Sequence, residues 1–131
     1  MCSTIFVRKL KQNPEEPEVL GEGEQEKNYF LVEDCIQAMI YGFLRSPKGC
    51  DVFNLGSETT GKAKNIASIV IDAMGLKDVK IRHRDGKRGW PGDVPLVSYD
   101  VSKMISLGWA ATFSSGEAVR IAATRLLEQW V

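Results

Sequence analysis

The chain has 131 residues, 44% hydrophobic and 26% charged, which is the balance of one soluble globular domain long enough to bury a core. Seventeen basic and seventeen acidic residues cancel to a net charge of zero, so no whole-surface attraction to nucleic acid is expected, and no apolar run reaches the ~18 to 20 residues that cross a bilayer. Cys2, Cys35 and Cys50 are odd in number and form no CxxC pair, so neither a disulfide framework nor a zinc site is expected, and a reducing cytoplasm is the natural home.

In chain order, Ile5, Phe6 and Leu10 recur at helical spacing from Thr4 to Leu10, and Asn13-Pro14 stops that helix. It has no visible cap, and the start reads as one cut from a longer parent. Glu18 to Leu20 and Asn28 to Val32 are predicted strands joined as a hairpin through Gly21-Glu22-Gly23-Glu24. From Glu33 the period becomes helical, with Ile36, Met39, Ile40, Phe43 and Leu44 on one face, Glu33 and Asp34 in the first turn, and Ser46-Pro47-Lys48-Gly49 as the stop. Val52 to Leu55 reads as a strand, Lys62 to Met74 as a helix with Ile66, Ile69, Val70, Ala73 and Met74 inward, and Gly75 as its end. Val79 to His83 and Val94 to Tyr99 are the next extended pieces. Asp100 caps a short helix, Val101 to Leu107, and Ser114 with Glu117 forms a capping box for a last helix carrying Ala118, Ile121, Ala122, Leu126 and Trp130. Strands alternating with helices make the fold class mixed α/β in a single domain over residues 1–131, without internal repeats.

The chemistry concentrates between Lys80 and Asp100. Lys80, Arg82, His83, Arg84, Lys87 and Arg88 are basic there, with Asp85 the one acid among them. A phosphate is the anion such a loop suits, since arginine offers a planar fork of donors and lysine a mobile charge; a charged, solvated strand edge is the plainer alternative. Two glycine patterns lead nowhere. Gly21 to Glu26 would set three acids against a pyrophosphate and is followed by a strand. Gly56 to Lys62 has the GxxxxGK spacing, but Ala63 follows where a P-loop needs a hydroxyl for Mg²⁺. His83, the only histidine, reads as an edge-strand residue, and no metal cluster or catalytic residue is expected.

Several ordered segments together resemble a known family. These are Gly21 to Asp34 (GEGEQEKNYFLVED), Phe53-Asn54-Leu55-Gly56-Ser57, Arg88-Gly89-Trp90-Pro91-Gly92-Asp93-Val94-Pro95, and Asp100-Val101-Ser102-Lys103 with Leu107-Gly108-Trp109. They are similar to the C-terminal part of extended short-chain dehydrogenase/reductases, the NAD-dependent nucleotide-sugar epimerases and dehydratases that include UDP-glucose 4-epimerase. The resemblance implies an N-terminal Rossmann half that holds NAD and a C-terminal part that grips the nucleotide diphosphate. This chain is similar to the second part only. The NAD loop and the Tyr-x-x-x-Lys catalytic pair of the first are not read here, and Tyr99-Asp100-Val101-Ser102-Lys103 falls inside the C-terminal motif. Carried over by position, Arg88 is the phosphate-binding arginine, and Asp93 the acid that meets the substrate or fixes the loop. Lys27 stands where many members have a phosphate-gripping arginine. Gln25 and Tyr29 frame the same segment, and Asn54 and Gly56 match the strand exit. The implied reading is a substrate-binding portion that binds a nucleotide sugar, a UDP-sugar first of all, is inactive alone, and leaves NAD to the complete enzyme. Its expected partners are the missing Rossmann half and, through apolar surface left open, further copies of itself. The alternative is a non-catalytic interaction module that keeps the fold without the ligand.

Overall fold

Three helices meet to form the core. In the computed structural model, which describes residues 3–12, 18–19, 23–47, 49–83 and 94–129, these are α1 (Ser3–Gln12), α3 (Ala63–Ala73) and α5 (Ser115–Gln129), with α2 (Val32–Arg45) and α4 (Ser102–Ser106) outside them. Val7 and Leu10 of α1, Ile66, Ala67 and Val70 of α3, and Val119 and Ala123 of α5 form one buried cluster. Val7 and Leu10, Ile66 and Ala67 with Val70, and Val119 and Ala123 are each three or four residues apart, which puts them on one stripe of their helix. Two alanines at the seam let α3 and α5 approach closely, as small residues do at helix contacts. The seam of α5 thus runs through Ala118, Val119 and Ala123, while Ile121, Ala122 and Leu126 are half-buried. Trp130 and the side chains of Ile5 and Phe6 lie outside the described residues.

The helix ends follow local chemistry. Ser114 and Glu117 make the reciprocal box, with Ser114 N and Oγ donating to Glu117 Oε2 at 2.9 and 2.7 Å, and α5 starts one residue later. Those same hydrogen bonds from Ser114 hold the Glu117 carboxyl below the usual glutamate range. Helix α3 closes at Gly75, whose φ is +67°, with Leu76 N donating to Ile71 O at 3.2 Å. Asp100 Oδ1 accepts from Ser102 N at 3.0 Å ahead of α4.

Among the described residues each strand spans two positions. β1 (Glu18–Val19) runs parallel to β4 (Arg82–His83), and a three-stranded sheet has β2 (Glu26–Lys27) at its centre, antiparallel to β3 (Gly61–Lys62) and parallel to β5 (Leu96–Val97). The predicted hairpin does not form: β1 and β2 pair with strands far along the chain rather than with each other. Residues 28–31 are not a strand, because the Tyr29 N–H and C=O are taken by the Ser115 hydroxyl at 3.0 and 2.9 Å and α2 begins at Val32. Residues 52–55 belong to neither sheet.

Helix α2 has the predicted span, and Ile36, Met39, Ile40, Phe43 and Leu44 share one face as predicted; that face turns outward, Phe43 with 85% of its surface exposed, while Asp34, Ala38 and Gly42 are the buried residues. Polar ties set this rotation. Asp34 accepts from Thr112 N and Oγ1 at 3.1 and 2.8 Å, and the Tyr41 hydroxyl donates to Leu107 O at 2.9 Å. On the same side, a side chain at Gly42 would meet Met104 and Phe53 at 3.7 Å, an ordinary contact distance, so the helix packs close to both there.

Candidate functional site

The centre strand β2 places the residues of interest. Lys27 sits opposite Gly61 on one neighbour and Val97 on the other, and Glu26 N donates to Pro95 O at 2.7 Å. Gln25, just before the strand, is buried, and its carbonyl accepts from Ala63 N at 2.9 Å. Tyr29, just after it, is half-buried against the helical core. Gln25, Lys27 and Tyr29 therefore lie on one short segment clamped on both sides. Arg88 and Asp93 lie outside the described residues. The chain beyond them returns as β5, directly beside Lys27.

The clamp itself was not foreseen. The Asn28 side-chain amide donates to Ser57 O at 2.5 Å and Thr59 O at 2.9 Å, and its Oδ1 accepts from Ser57 N at 3.0 Å. Any side chain at Gly56 would come within 2.7 Å of Asn28 Oδ1, so the strand-exit glycine read from the sequence is required by that close approach. Ser115, fully buried at the start of α5, completes the arrangement: its N–H donates to Thr59 Oγ1 at 2.7 Å, and its hydroxyl lies 2.6 Å from Thr59 O. Asn28 lies inside the segment that carries the family resemblance. Nothing in the local pattern marks Ser115 beyond its place next to the capping box.

The GxxxxGK stretch has a different use. The first amides of α3 point at backbone carbonyls, with Ala63 N on Gln25 O and Lys64 N on Gly23 O at 3.0 Å, so they are not open to a phosphate. Lys62, expected as a solvated lysine, pairs with Glu24 at 2.9 Å, and Lys64 also pairs with Glu24. Hydrogen bonds from Lys62 first and Lys64 second pull the Glu24 carboxyl down from its ordinary value near 4.5 to about 2. A depressed carboxyl contributes stability that is present above its unfolded pKa and lost as pH falls through its folded one. Stability should therefore decline from pH 4.5 toward pH 2, more steeply in the wild type than in Glu24→Gln. Unfolding curves across that range check this, and equal slopes would remove the ion pairs from the account.

Lys103, four residues after Tyr99, pairs with the Asp51 carboxylate, donates to Val52 O at 2.7 Å and lies 4.5 Å above the Phe53 ring. Asn54 Nδ2 donates to Asp100 O at 3.1 Å. These contacts fasten α4 and its entry to residues 51–54.

Solved structures supply the context for this geometry. A UDP-galactose 4-epimerase matches with a TM-score of 0.81 and 28% identity, over 98% of this chain and 40% of that one. A UDP-glucuronic acid 4-epimerase from Bacillus cereus, solved with UDP-4-deoxy-4-fluoro-glucuronic acid and NAD, matches at 0.78 and 19% over 100% and 40%. The dTDP-glucose 4,6-dehydratase of Bacillus anthracis, in complex with NAD, matches at 0.75 and 14% over 98% and 39%. The fold is that of the C-terminal portion of NAD-dependent epimerases and dehydratases. The chain spans about 40% of the length of these solved chains. No family model and no curated protein matches it.

Three helix starts differ in how their first turn is satisfied. The amides of α3 are occupied, α5 opens on its own capping box, and α2 carries Glu33 and Asp34 in its first turn. No helix among the described residues is long and apolar enough to cross a membrane.

Proposed function

We propose that this chain binds the diphosphate of a nucleotide sugar, a UDP-sugar first of all, as the substrate-side portion of an NAD-dependent epimerase or dehydratase. The observation that carries the reading is the position of Lys27: on the centre strand of the small sheet, next to Tyr29 and beside the strand that follows Arg88 and Asp93 in sequence. Its fold is shared with a UDP-galactose 4-epimerase at 28% identity. Lys27 and Arg88 would hold the two phosphates, Asp93 would fix the loop or meet the sugar, and Gln25 and Tyr29 would frame the segment. Such contacts position the donor and break no bond. Redox chemistry would belong to NAD bound elsewhere in the complete enzyme, and this chain alone would turn over nothing.

Lysine keeps the charge that a phosphate needs but loses the bidentate fork of an arginine. Titration calorimetry with UDP and UDP-glucose should show saturable binding that weakens roughly tenfold in Lys27→Ala and in Arg88→Ala, the order expected for one lost charge-assisted contact. Lys27→Arg should bind at least as tightly as the wild type. Absence of saturation, or alanine variants that bind like the wild type, would sink the reading.

A further inference from the structure

The strand that carries Lys27 is held to β3 by two residue pairs, Glu26 opposite Lys62 and Lys27 opposite Gly61. Register in a sheet is ordinarily set by a repeating in-and-out pattern of side chains, which two positions are too few to carry. For Lys27 the register matters. Residues directly opposite one another share a face of the sheet, so the β3 neighbour of Lys27 on its own face is a glycine and contributes no side chain. A slip by one residue would set Lys27 against Thr60 or Lys62 and turn it to the other face. Against Lys62 it would also meet a like charge.

Asn28, the residue after Lys27, supplies what the ladder lacks. Its Nδ2 donates to Ser57 O at 2.5 Å and to Thr59 O at 2.9 Å, and its Oδ1 accepts from Ser57 N at 3.0 Å. Two carbonyls and one N–H call for two donors and one acceptor on a single planar group, which a carboxamide offers and neither a hydroxyl nor a carboxylate does. The loop it grips leads directly into Gly61 and is itself held. Ser57 is buried and its hydroxyl reaches Phe113 O at 3.3 Å, while Thr59 Oγ1 accepts from Ser115 N at 2.7 Å. Gly56 permits the close approach, since a Cβ there would stand 2.7 Å from Asn28 Oδ1. The amide thus fastens the residue beside Lys27 to a fixed support two positions ahead of the residue opposite Lys27.

We propose that Asn28 is a positioning residue for Lys27: its side-chain amide sets the register of β2 on β3 and so places the lysine opposite Gly61, on the face where it meets the diphosphate. Asn28 acts through Lys27 and touches no ligand itself. The proposal rests on the reading of Lys27 as a phosphate contact, and one arm of its test needs no ligand.

Asn28→Ala removes the amide, and Gly56→Ala pushes it off the loop from the other side. Neither changes the charge of the chain, so a loss of affinity for a diphosphate reports where Lys27 stands. With UDP-glucose as the probe, titration calorimetry of the 131-residue chain should show binding weakened roughly fivefold by each change, as misplacement of a binding group does. Circular dichroism identifies the variants that are folded. In a Lys27→Ala background the same two changes should alter affinity by less than about twofold, because a positioning residue then has nothing to position. In the ligand-free chain, nuclear Overhauser contacts between the backbone protons of Lys27 and Gly61 should weaken in both variants. The proposal is overturned if folded variants bind like the wild type, if their full effect persists without Lys27, or if the contacts between Lys27 and Gly61 are unchanged. A wild-type chain without saturable binding counts against the nucleotide-sugar reading, while the Lys27 and Gly61 contacts still decide the role of Asn28, so the two can fail independently.

Discussion

Ser115→Ala is expected to destabilise the fold by about 3 kcal/mol, because the buried Ser115 hydroxyl serves three backbone groups from two distant segments. It accepts from Tyr29 N–H, and its single hydrogen alternates between the carbonyls of Tyr29 and Thr59. Alanine takes the Ser115 hydroxyl away from these part-buried groups, at roughly 1–3 kcal/mol for each one that water cannot reach. That is a large share of the ~5–15 kcal/mol that holds a typical domain together. Urea unfolding should show a lower midpoint with an unchanged slope, and a loss below about 1 kcal/mol would mean that other contacts hold the Tyr29 segment. UDP affinity should fall as well, since Tyr29 and Lys27 share that segment.

The second large effect is expected at Ile66. Fully buried in α3, it is part of the cluster shared with α1 and α5, and its Cδ1 lies 3.2 Å from where a side chain at Gly61 would begin. Ile66→Ala removes the side chain that fills this junction and should cost about 3–4 kcal/mol, the transfer loss plus the cavity left behind; Ile66→Val should cost about 1 kcal/mol. Because Gly61 pairs with Lys27 across the sheet, the alanine variant should also loosen the strand that presents the lysine. Chemical denaturation of both variants checks the order, and an alanine variant no worse than the valine one would show that neighbouring side chains close the gap.

What could be read in advance was local. The Ser114–Glu117 box, the Gly75 stop and the spans of α2 and α3 depend on residues within a few positions of one another, and each formed as expected. The strands were harder because their ends depend on partners elsewhere. Asn28 to Val32 has strand composition, but Ser115, 86 residues from Tyr29, takes the backbone hydrogen bonds a ladder would need. The orientation of α2 could not be read from its period, which locates an apolar stripe without saying what it meets. Of the candidate site, Lys27, Gln25 and Tyr29 came from the family resemblance and share one clamped segment. The clamp residues Asn28, Thr59 and Ser115 were missed, since single polar residues carry no pattern until the fold brings them together.

The membership of the core also has a consequence in time. Its buried residues come from positions 7–10, 66–70 and 119–123, so no shorter stretch of the chain contains a complete interior. During synthesis α1 and α3 are both available long before α5, and until Val119 and Ala123 arrive the apolar side they are to cover stays open to water. Contacts across more than a hundred residues form slowly, because the loop must close before it is rewarded. Until α5 is made, the centre of this fold stays unfinished, a stage at which exposed apolar surface is vulnerable to aggregation.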